Sequence, residues 1–269
     1  RLRCDWSSDV CSSDLPAMTA PSKAIDKLRR NIDVIDGEMH DLLMRRVEIV
    51  ERIGTLKDKA PGALFIRPER EAKILRRLVS RHKGRFPAAV VARIWREILA
   101  STTRLQGPFS VAVHAPEKSV GYWDMARDHY GSATRMSLHR RANPVLNAVF
   151  SGGVTVGLLP LPVEDEAAPW WPRLVVDGEN PPRVVARVPF IENDNGRFED
   201  LGALAIARTM PGESGDDVSL FVIEATAGFS RASIQEAFVT AAIPGRTVAV
   251  WSETDAAARH LHLDRKSVG

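Results

Sequence analysis

The proline-free stretch between Pro21 and Pro61 constrains the fold of this chain more than any other feature. Its apolar residues recur at the spacing of one helix face. Ser22 offers an N-cap, and Pro61-Gly62 ends the stretch. We predict one helix over residues 22 to 59, about 57 Å long at 1.5 Å per residue. A compact domain of about 90 residues has a radius of gyration near 12 Å. Such a helix therefore needs a partner, most simply a second copy of the chain.

Two shorter helices are expected after it. Pro68 suits the first turn of one helix, whose apolar side holds Ile74 and Leu75. Pro87 suits the start of the next, which places Ile98 and Leu99 on its inner side. We therefore predict an all-α three-helix domain over residues 18–107 that forms an intertwined dimer.

The charge of the chain is unevenly divided, which the net charge of +3 conceals. From Met18 to Gly107 there are 20 Lys and Arg against 11 Asp and Glu, a balance of +9. From Pro108 onward the balance is −5. A basic helical region is thus followed by an acidic one.

Several polar residues interrupt the apolar faces of the three predicted helices. At about 100° per residue, they fall inside or at the edge of the apolar stripes. Burying such groups unpaired costs several kcal/mol each, so each needs a partner. A small dianionic ligand would supply partners for the surplus cations. For any one residue, a side chain that reaches solvent or an internal Arg–Glu pair is the alternative. The residues are Arg29, Arg46, Lys57, Glu71, Thr102 and Gln106.

Six segments between residues 24 and 106 have a joint spacing that is specific. They are Leu28-Arg29-Arg30-Asn31-Ile32, Ile35-Asp36, Leu42-Leu43-Met44-Arg45-Arg46, Ile53-Gly54-Thr55-Leu56-Lys57, Arg67-Pro68-Glu69-Arg70-Glu71-Ala72, and Ile94-Trp95-Arg96-Glu97-Ile98 through Gln106. With these segments, residues 24 to 106 resemble the all-helical chorismate mutases, the type often fused to prephenate dehydratase. The resemblance covers the whole helical region.

The resemblance implies a role for each candidate residue. Arg29 would reach into the site of the other subunit and bind one substrate carboxylate, and Arg46 would bind the second. Lys57 and Gln106 would hydrogen-bond the ether oxygen of the breaking bond. A further three residues complete the implied site: Glu71 accepts from the ring hydroxyl, and Arg70 and Thr102 frame it.

The implied reaction is the rearrangement of chorismate to prephenate in phenylalanine and tyrosine biosynthesis. It is a one-step pericyclic shift that needs no nucleophile, so we expect no cofactor and no metal. The neutral amide of Gln106 needs no protonation, so we expect activity at neutral pH. A non-catalytic sensor of an aromatic metabolite and a bifunctional mutase/dehydratase are the alternatives.

The region after Pro108 is predicted to be α/β or α+β. Parts of it resemble degraded prephenate dehydratase motifs, and the catalytic Thr-Arg-Phe of that family is replaced by Leu201-Gly202-Ala203. We assign residues 108–212 to this divergent dehydratase-like region. Residues 213–263 resemble a truncated regulatory module of the amino-acid-binding kind. The predicted elements are strands at 110–114, 154–159, 184–189, 204–207 and 218–225, and a helix at 232–242.

Both ends of the chain resemble translated sequencing adapters. We expect residues 1–17, with both cysteines (Cys4 and Cys11), and residues 264–269 to be artefacts. The histidines show no spacing typical of metal ligands, and no apolar run reaches the roughly 18 residues of a membrane helix. The basic segment 76–85 lacks interleaved aromatic residues and is expected to be solvated, not to bind nucleic acid. A cytoplasmic location is expected.

Overall fold

The computed structural model describes residues 20–56, 65–116, 121–164, 166, 168–176, 180–190, 201–226, 230–242, 245–254 and 257–264. Residues 1–17, interpreted as adapter-derived, lie outside this set, as do residues 265–269. The chain divides into two compact units, residues 1–49 and residues 50–269, with the division inside the first helix.

The first unit contains most of α1, a single helix over Ala20–Leu56. The predicted long helix is thus confirmed as far as Leu56, and residues 57–59 lie outside the described residues. Its apolar stripe is largely open to solvent, with side chains between 49% and 62% exposed. A helix stabilised by burial of one apolar face needs a covering surface for such a stripe. The exposed residues are Ile25, Leu28, Ile32, Ile35, Met39, Leu42 and Ile49.

The second unit begins with the end of α1 and two further helices, α2 (Pro68–Arg81) and α3 (Ala88–Gln106). Both were predicted, and both start where proline sets the backbone: Pro68 lies at the first helical position and Pro87 is the N-cap residue of α3. The two helices pack through Leu75, Ala92 and Leu99.

A five-stranded mixed sheet follows α3. Its order is β2-β1-β3-β5-β4, with β1 parallel to β2 and β3, and with β5 antiparallel to β3 and β4. Two helices, α4 and α5, connect the parallel strands. The elements are β1 (Ser110–His114), α4 (Gly121–Tyr130), β2 (Arg135–His139), α5 (Ala142–Phe150), β3 (Val156–Pro160), β4 (Arg183–Val188) and β5 (Ala203–Ala207).

The middle of this sheet forms the main core. Val111, Leu158 and Ile206 on its central strands are fully buried, and α4 and α5 contribute Met125 and Val145 to the surrounding clusters. The predicted strands β1, β3, β4 and β5 are confirmed to within two residues. The elements α4, β2 and α5 were not predicted.

A three-stranded antiparallel sheet ends the second unit. Its order is β6-β8-β7, so β8 lies between two strands that a helix connects, as in a split β-α-β motif. Leu220, Val222 and Ala249 pack against the cluster around Trp170 and Trp171. The predicted strand at 218–225 and helix at 232–242 are confirmed. The elements are β6 (Ser219–Thr226), α6 (Arg231–Thr240), β7 (Gly245–Thr254) and β8 (Ala257–Asp264).

Candidate active site

The last turn of α3 meets the end of α1 at Gly54. Gly54 is buried, and a Cβ atom built on it would lie 3.5 Å from Cγ of Gln106. The two helices therefore pack closely at this position, with room for one methyl group on Gly54. Gln106 thus contacts α1 at Gly54, which precedes Lys57 by three positions in the sequence.

Thr102 and Gln106 lie one helical turn apart on α3, as predicted. The Thr102 side chain is buried, and its hydroxyl donates to the carbonyl oxygens of Ile98 at 2.9 Å and Leu99 at 3.0 Å. The Gln106 amide nitrogen donates to the Thr102 carbonyl at 3.3 Å. The two side chains therefore share one face at the end of α3.

Glu71 of α2 points inward, as predicted, and its partner is an arginine of α3. Nη1 of Arg96 donates to Oε2 of Glu71 at 2.9 Å, and the two side chains are 8% and 20% exposed respectively. This internal Arg–Glu pair is the alternative that the sequence left open for Glu71. It also identifies Arg96 as a buried charged residue that the sequence analysis missed.

Burial changes the acid–base properties of this pair. It raises the pKa of the Glu71 carboxyl, while the Arg96 charge opposes the rise and the nearby Glu69 adds to it. It lowers the pKa of the Arg96 guanidinium, which the charge of Glu71 opposes. A guanidinium keeps its proton at any physiological pH, so Arg96 stays a buried cation.

The region after α3 surrounds Arg96 on its other side. The Phe190 ring centre lies 5.1 Å from Cζ of Arg96 and 5.5 Å from Cζ of Arg76. His129 of α4 is buried, and burial followed by the Arg96 charge lowers its pKa well below the ordinary value. Arg96, His129 and Phe190 line a cavity of about 60 Å³, to which Arg93 also contributes.

Polar contacts fix α2 and α3 to the α/β region. Arg76 donates to the Ser214 carbonyl oxygen at 2.6 Å and to the Ser214 hydroxyl at 2.8 Å. Arg93 pairs with Asp128 of α4 at 2.6 Å. The helical region and the α/β region are therefore joined by specific contacts within the second unit.

The remaining predicted site residues lie elsewhere in the described chain or outside it. Arg29 is exposed and pairs with Asp26 at 3.2 Å, one turn earlier on α1. Arg46 is half-buried on α1 and has a polar or electrostatic partner within the chain. Arg70 is exposed on α2. Lys57 lies outside the described residues.

Two further observations concern ligands and membranes. Within the described ranges, no group of three or more His, Cys, Asp or Glu side chains is arranged to hold a metal ion. None of the helices in the part of the chain that the structure covers is both long and apolar enough to cross a membrane.

Comparison with known proteins matches residues 28–107 to the family model "Chorismate mutase type II". The bifunctional chorismate mutase/prephenate dehydratase of Stutzerimonas stutzeri is 31% identical over 145 residues, which cover 52% of this chain and 40% of that protein. The Pseudomonas aeruginosa protein of the same name is 29% identical over 153 residues, 55% of this chain and 42% of that protein. The Neisseria gonorrhoeae protein is 35% identical over 133 residues, 48% of this chain and 34% of that protein.

The chain thus spans less than half the length of the curated relatives it matches. Two solved structures have lower similarity: prephenate dehydratase from Streptococcus mutans (14% identity, 58% of this chain and 83% of that chain, TM-score 0.40) and a quorum-quenching acylase (10%, 58% and 79%, TM-score 0.41). At these TM-scores neither supports a conclusion.

The alignments with these three relatives are 145, 153 and 133 residues long. Each is longer than the 107 residues that precede the α/β region. The sequence similarity therefore continues into the α/β region. The predicted resemblance of residues 24 to 106 to the all-helical chorismate mutases is confirmed by the family match.

Proposed function

We propose that this protein is a chorismate mutase that converts chorismate to prephenate in phenylalanine and tyrosine biosynthesis. The observation that carries the proposal is the family match over residues 28–107, within which every candidate site residue lies. A cytoplasmic location, where that biosynthesis takes place, is proposed with it.

The first contribution to catalysis is positioning. Chorismate is a dicarboxylate, and its rearrangement proceeds from a chair-like conformer in which the two reacting carbon atoms approach each other. Arg29 and Arg46 are proposed to bind the two carboxylates, as the resemblance implies. Holding the reactive conformer removes part of the entropic barrier before the bond begins to break.

The second contribution is electrostatic. The ether oxygen gains negative charge as its bond to carbon breaks, so a fixed donor at that oxygen stabilises the transition state more than the substrate. Lys57 and Gln106 are proposed as these donors. The position of Gln106 beside Gly54 supports this, because Gly54 and Lys57 are separated by only two residues.

Glu71 is proposed to accept a hydrogen bond from the ring hydroxyl of the substrate, with Arg70 and Thr102 framing the site. The Glu71 side chain is 20% exposed while it pairs with Arg96. A carboxylate that is fixed by a buried cation on one side suits this role, because it is oriented before substrate binds.

We also propose a homodimer formed through α1. The apolar stripe from Ile25 to Ile49 leaves about half or more of each side chain exposed, which a second copy of the same helix would cover. In such a dimer Arg29 would act in the site of the other subunit, as the resemblance implies.

A second activity, as a prephenate dehydratase, is the alternative that the names of the relatives favour. The residues Leu201-Gly202-Ala203, which replace the catalytic Thr-Arg-Phe of that family, argue against it. Gly202 is buried, and a Cβ atom there would lie 2.5 Å from Cδ1 of Leu161. An arginine at the second position of this motif would therefore require the Leu161 side chain to move.

The test of the proposal is the decay of chorismate absorbance in the presence of the purified full chain at pH 7.5. We expect catalysed decay with prephenate as the product, and the same rate after treatment with a metal chelator. The absence of decay would instead favour the metabolite-sensor alternative. Added phenylalanine tests regulation, and formation of phenylpyruvate tests the dehydratase alternative.

A further inference from the structure

We propose that Arg96 is a positioning residue that holds the Glu71 carboxylate of the mutase site, and that Phe190 of the α/β region holds Arg96 in turn. The inference rests on the proposed function, and it links the α/β region to the geometry of the mutase site.

Arg96 has few alternatives to its observed position. Its side chain is 8% exposed, and a buried guanidinium needs a carboxylate within hydrogen-bond distance. Glu71 supplies that carboxylate at 2.9 Å. Because the pair is charge-assisted, it restrains the Glu71 side chain more strongly than a neutral hydrogen bond would.

Phe190 follows β4 by two residues and supplies the opposite side of the Arg96 site. The electron-rich face of an aromatic ring attracts a guanidinium within about 6 Å of its centre. At 5.1 Å for Arg96 and 5.5 Å for Arg76, the ring lies within this range of a cation from each of α3 and α2. A shift of Phe190 would therefore change the surroundings of Arg96.

The other titratable groups around the pair come from α2 and α4. Glu69 of α2 adds negative charge near Glu71, and Tyr130 and His129 of α4 are buried beside the pair. Because its pKa lies well below the ordinary value, His129 is neutral at pH 7 and adds no second positive charge next to Arg96. The charge of Arg96 thus opposes the rise in the Glu71 pKa that burial causes.

This arrangement predicts a pH effect that a purely structural role for Arg96 would not produce. An ionised Glu71 accepts a hydrogen bond from the substrate hydroxyl more strongly than a protonated one does. Removal of the Arg96 charge leaves burial and Glu69, both of which raise the Glu71 pKa. An opposite charge in contact with a carboxyl favours its ionised form. Removal of that charge should therefore move the acidic limb of the mutase profile to higher pH.

The experiment compares pH profiles of kcat/KM for the unchanged full chain and for Arg96→Met, Arg96→Lys, Phe190→Leu and Arg93→Met. Arg96→Met is expected to move the acidic limb of the kcat/KM profile to higher pH. Arg96→Lys keeps the positive charge, so its acidic limb should lie close to that of the unchanged chain. Phe190→Leu should lower kcat/KM about two- to fivefold. Arg93→Met is the matched control, because it removes an ion pair to α4 from the same cavity without touching Glu71.

An unchanged acidic limb in a folded Arg96→Met variant would overturn the proposal, as would an equal shift in Arg93→Met. If Arg96→Met does not fold, Phe190→Leu decides, and a kcat/KM equal to that of the unchanged chain in this variant would overturn the proposal. If the unchanged chain has no mutase activity, the proposed function fails separately. The Glu71 pKa is then read by carbon-13 NMR, assigned with Glu71→Gln. A higher pKa in Arg96→Met supports the pairing on which the inference depends, and an unchanged pKa refutes it.

Discussion

Replacement of Glu71 by alanine should leave a cation stranded in the interior. The Arg96 side chain is 8% exposed, and its contact with Glu71 is a direct 2.9 Å ion pair. Removing one partner of a buried ion pair costs about 3–5 kcal/mol. Because Glu71 itself is 20% exposed, we expect the lower end of this range, about 3 kcal/mol of unfolding free energy, for Glu71→Ala.

The reverse change, Arg96→Met, should cost less. The remaining Glu71 carboxyl can take up a proton, because its pKa is already raised by burial and loses the opposing charge. We expect about 1–2 kcal/mol for this variant. The double variant strands no charge, so its loss should be smaller than that of Glu71→Ala alone. The two substitutions should therefore couple by more than about 1 kcal/mol.

The assay is urea unfolding at pH 7.5, followed by tryptophan fluorescence, for the unchanged chain, both single variants and the double variant. The control is Arg93→Met, which breaks an ion pair whose arginine is 52% exposed and should cost at most about 1 kcal/mol. Strictly additive losses for Glu71→Ala and Arg96→Met would refute the view that the two charges stabilise each other.

Three other substitutions have definite expected outcomes. Gly54→Ala should stabilise the chain by about 0.5–1 kcal/mol in urea unfolding, because alanine favours the helix and its Cβ fits at an ordinary 3.5 Å from Gln106. The larger side chain of Gly54→Leu should displace Gln106 and lower mutase turnover. His129→Phe should reduce the loss of stability between pH 7.5 and 5.5: the folded histidine has a lowered pKa, so only the unfolded chain gains its proton below about pH 6.5, at a cost of up to 1.4 kcal/mol per unit. Asp217→Asn should cost about 1 kcal/mol at pH 7: burial raises the Asp217 pKa, but hydrogen bonds from Ser214 outweigh it and the net pKa is lowered. That cost should vanish as the pH falls below 3.8 and through the lowered pKa of Asp217 in the folded chain, because the carboxylate is then protonated. If the unfolding free energies of the unchanged chain and Asp217→Asn still differ below this pKa, the stabilising role of the Asp217 carboxylate is contradicted.

The three helices were predictable because their signals are local. Proline marks the starts of α2 and α3, and apolar spacing of 3.6 residues extends over many turns of α1. The inward direction of Glu71 and the shared face of Thr102 and Gln106 follow from the same spacing.

The missed elements have weaker or misleading signals. The strand β2 is at the edge of its sheet and mostly exposed, and its alternation of polar and apolar residues is only five residues long, with Met136 and Leu138 as its apolar members. Asn143-Pro144 is typical of a turn, yet Pro144 falls in the first turn of α5, where its missing N–H has no helical partner to lose. The local pattern was therefore too short to identify β2 and pointed away from α5.

Arg96 was missed although a signal existed. Ala92, Arg96, Leu99 and Thr103 are all buried along one side of α3, which is helical spacing with an arginine in it. Its partner could not be found in this way, because the pairing with Glu71 depends on how α2 packs against α3. The contacts of Phe190 and His129 with this pair depend in turn on the packing of the α/β region.

The measurement that tests the central proposal most directly is the turnover of chorismate at pH 7.5 by Lys57→Ala beside the unchanged chain, with circular dichroism showing that both are folded. Loss of a donor at the oxygen where charge develops lowers the rate about 10²–10³-fold. We expect the unchanged chain to convert chorismate to prephenate and the variant to lose activity by that factor. Turnover by folded Lys57→Ala close to that of the unchanged chain would contradict the proposed mechanism.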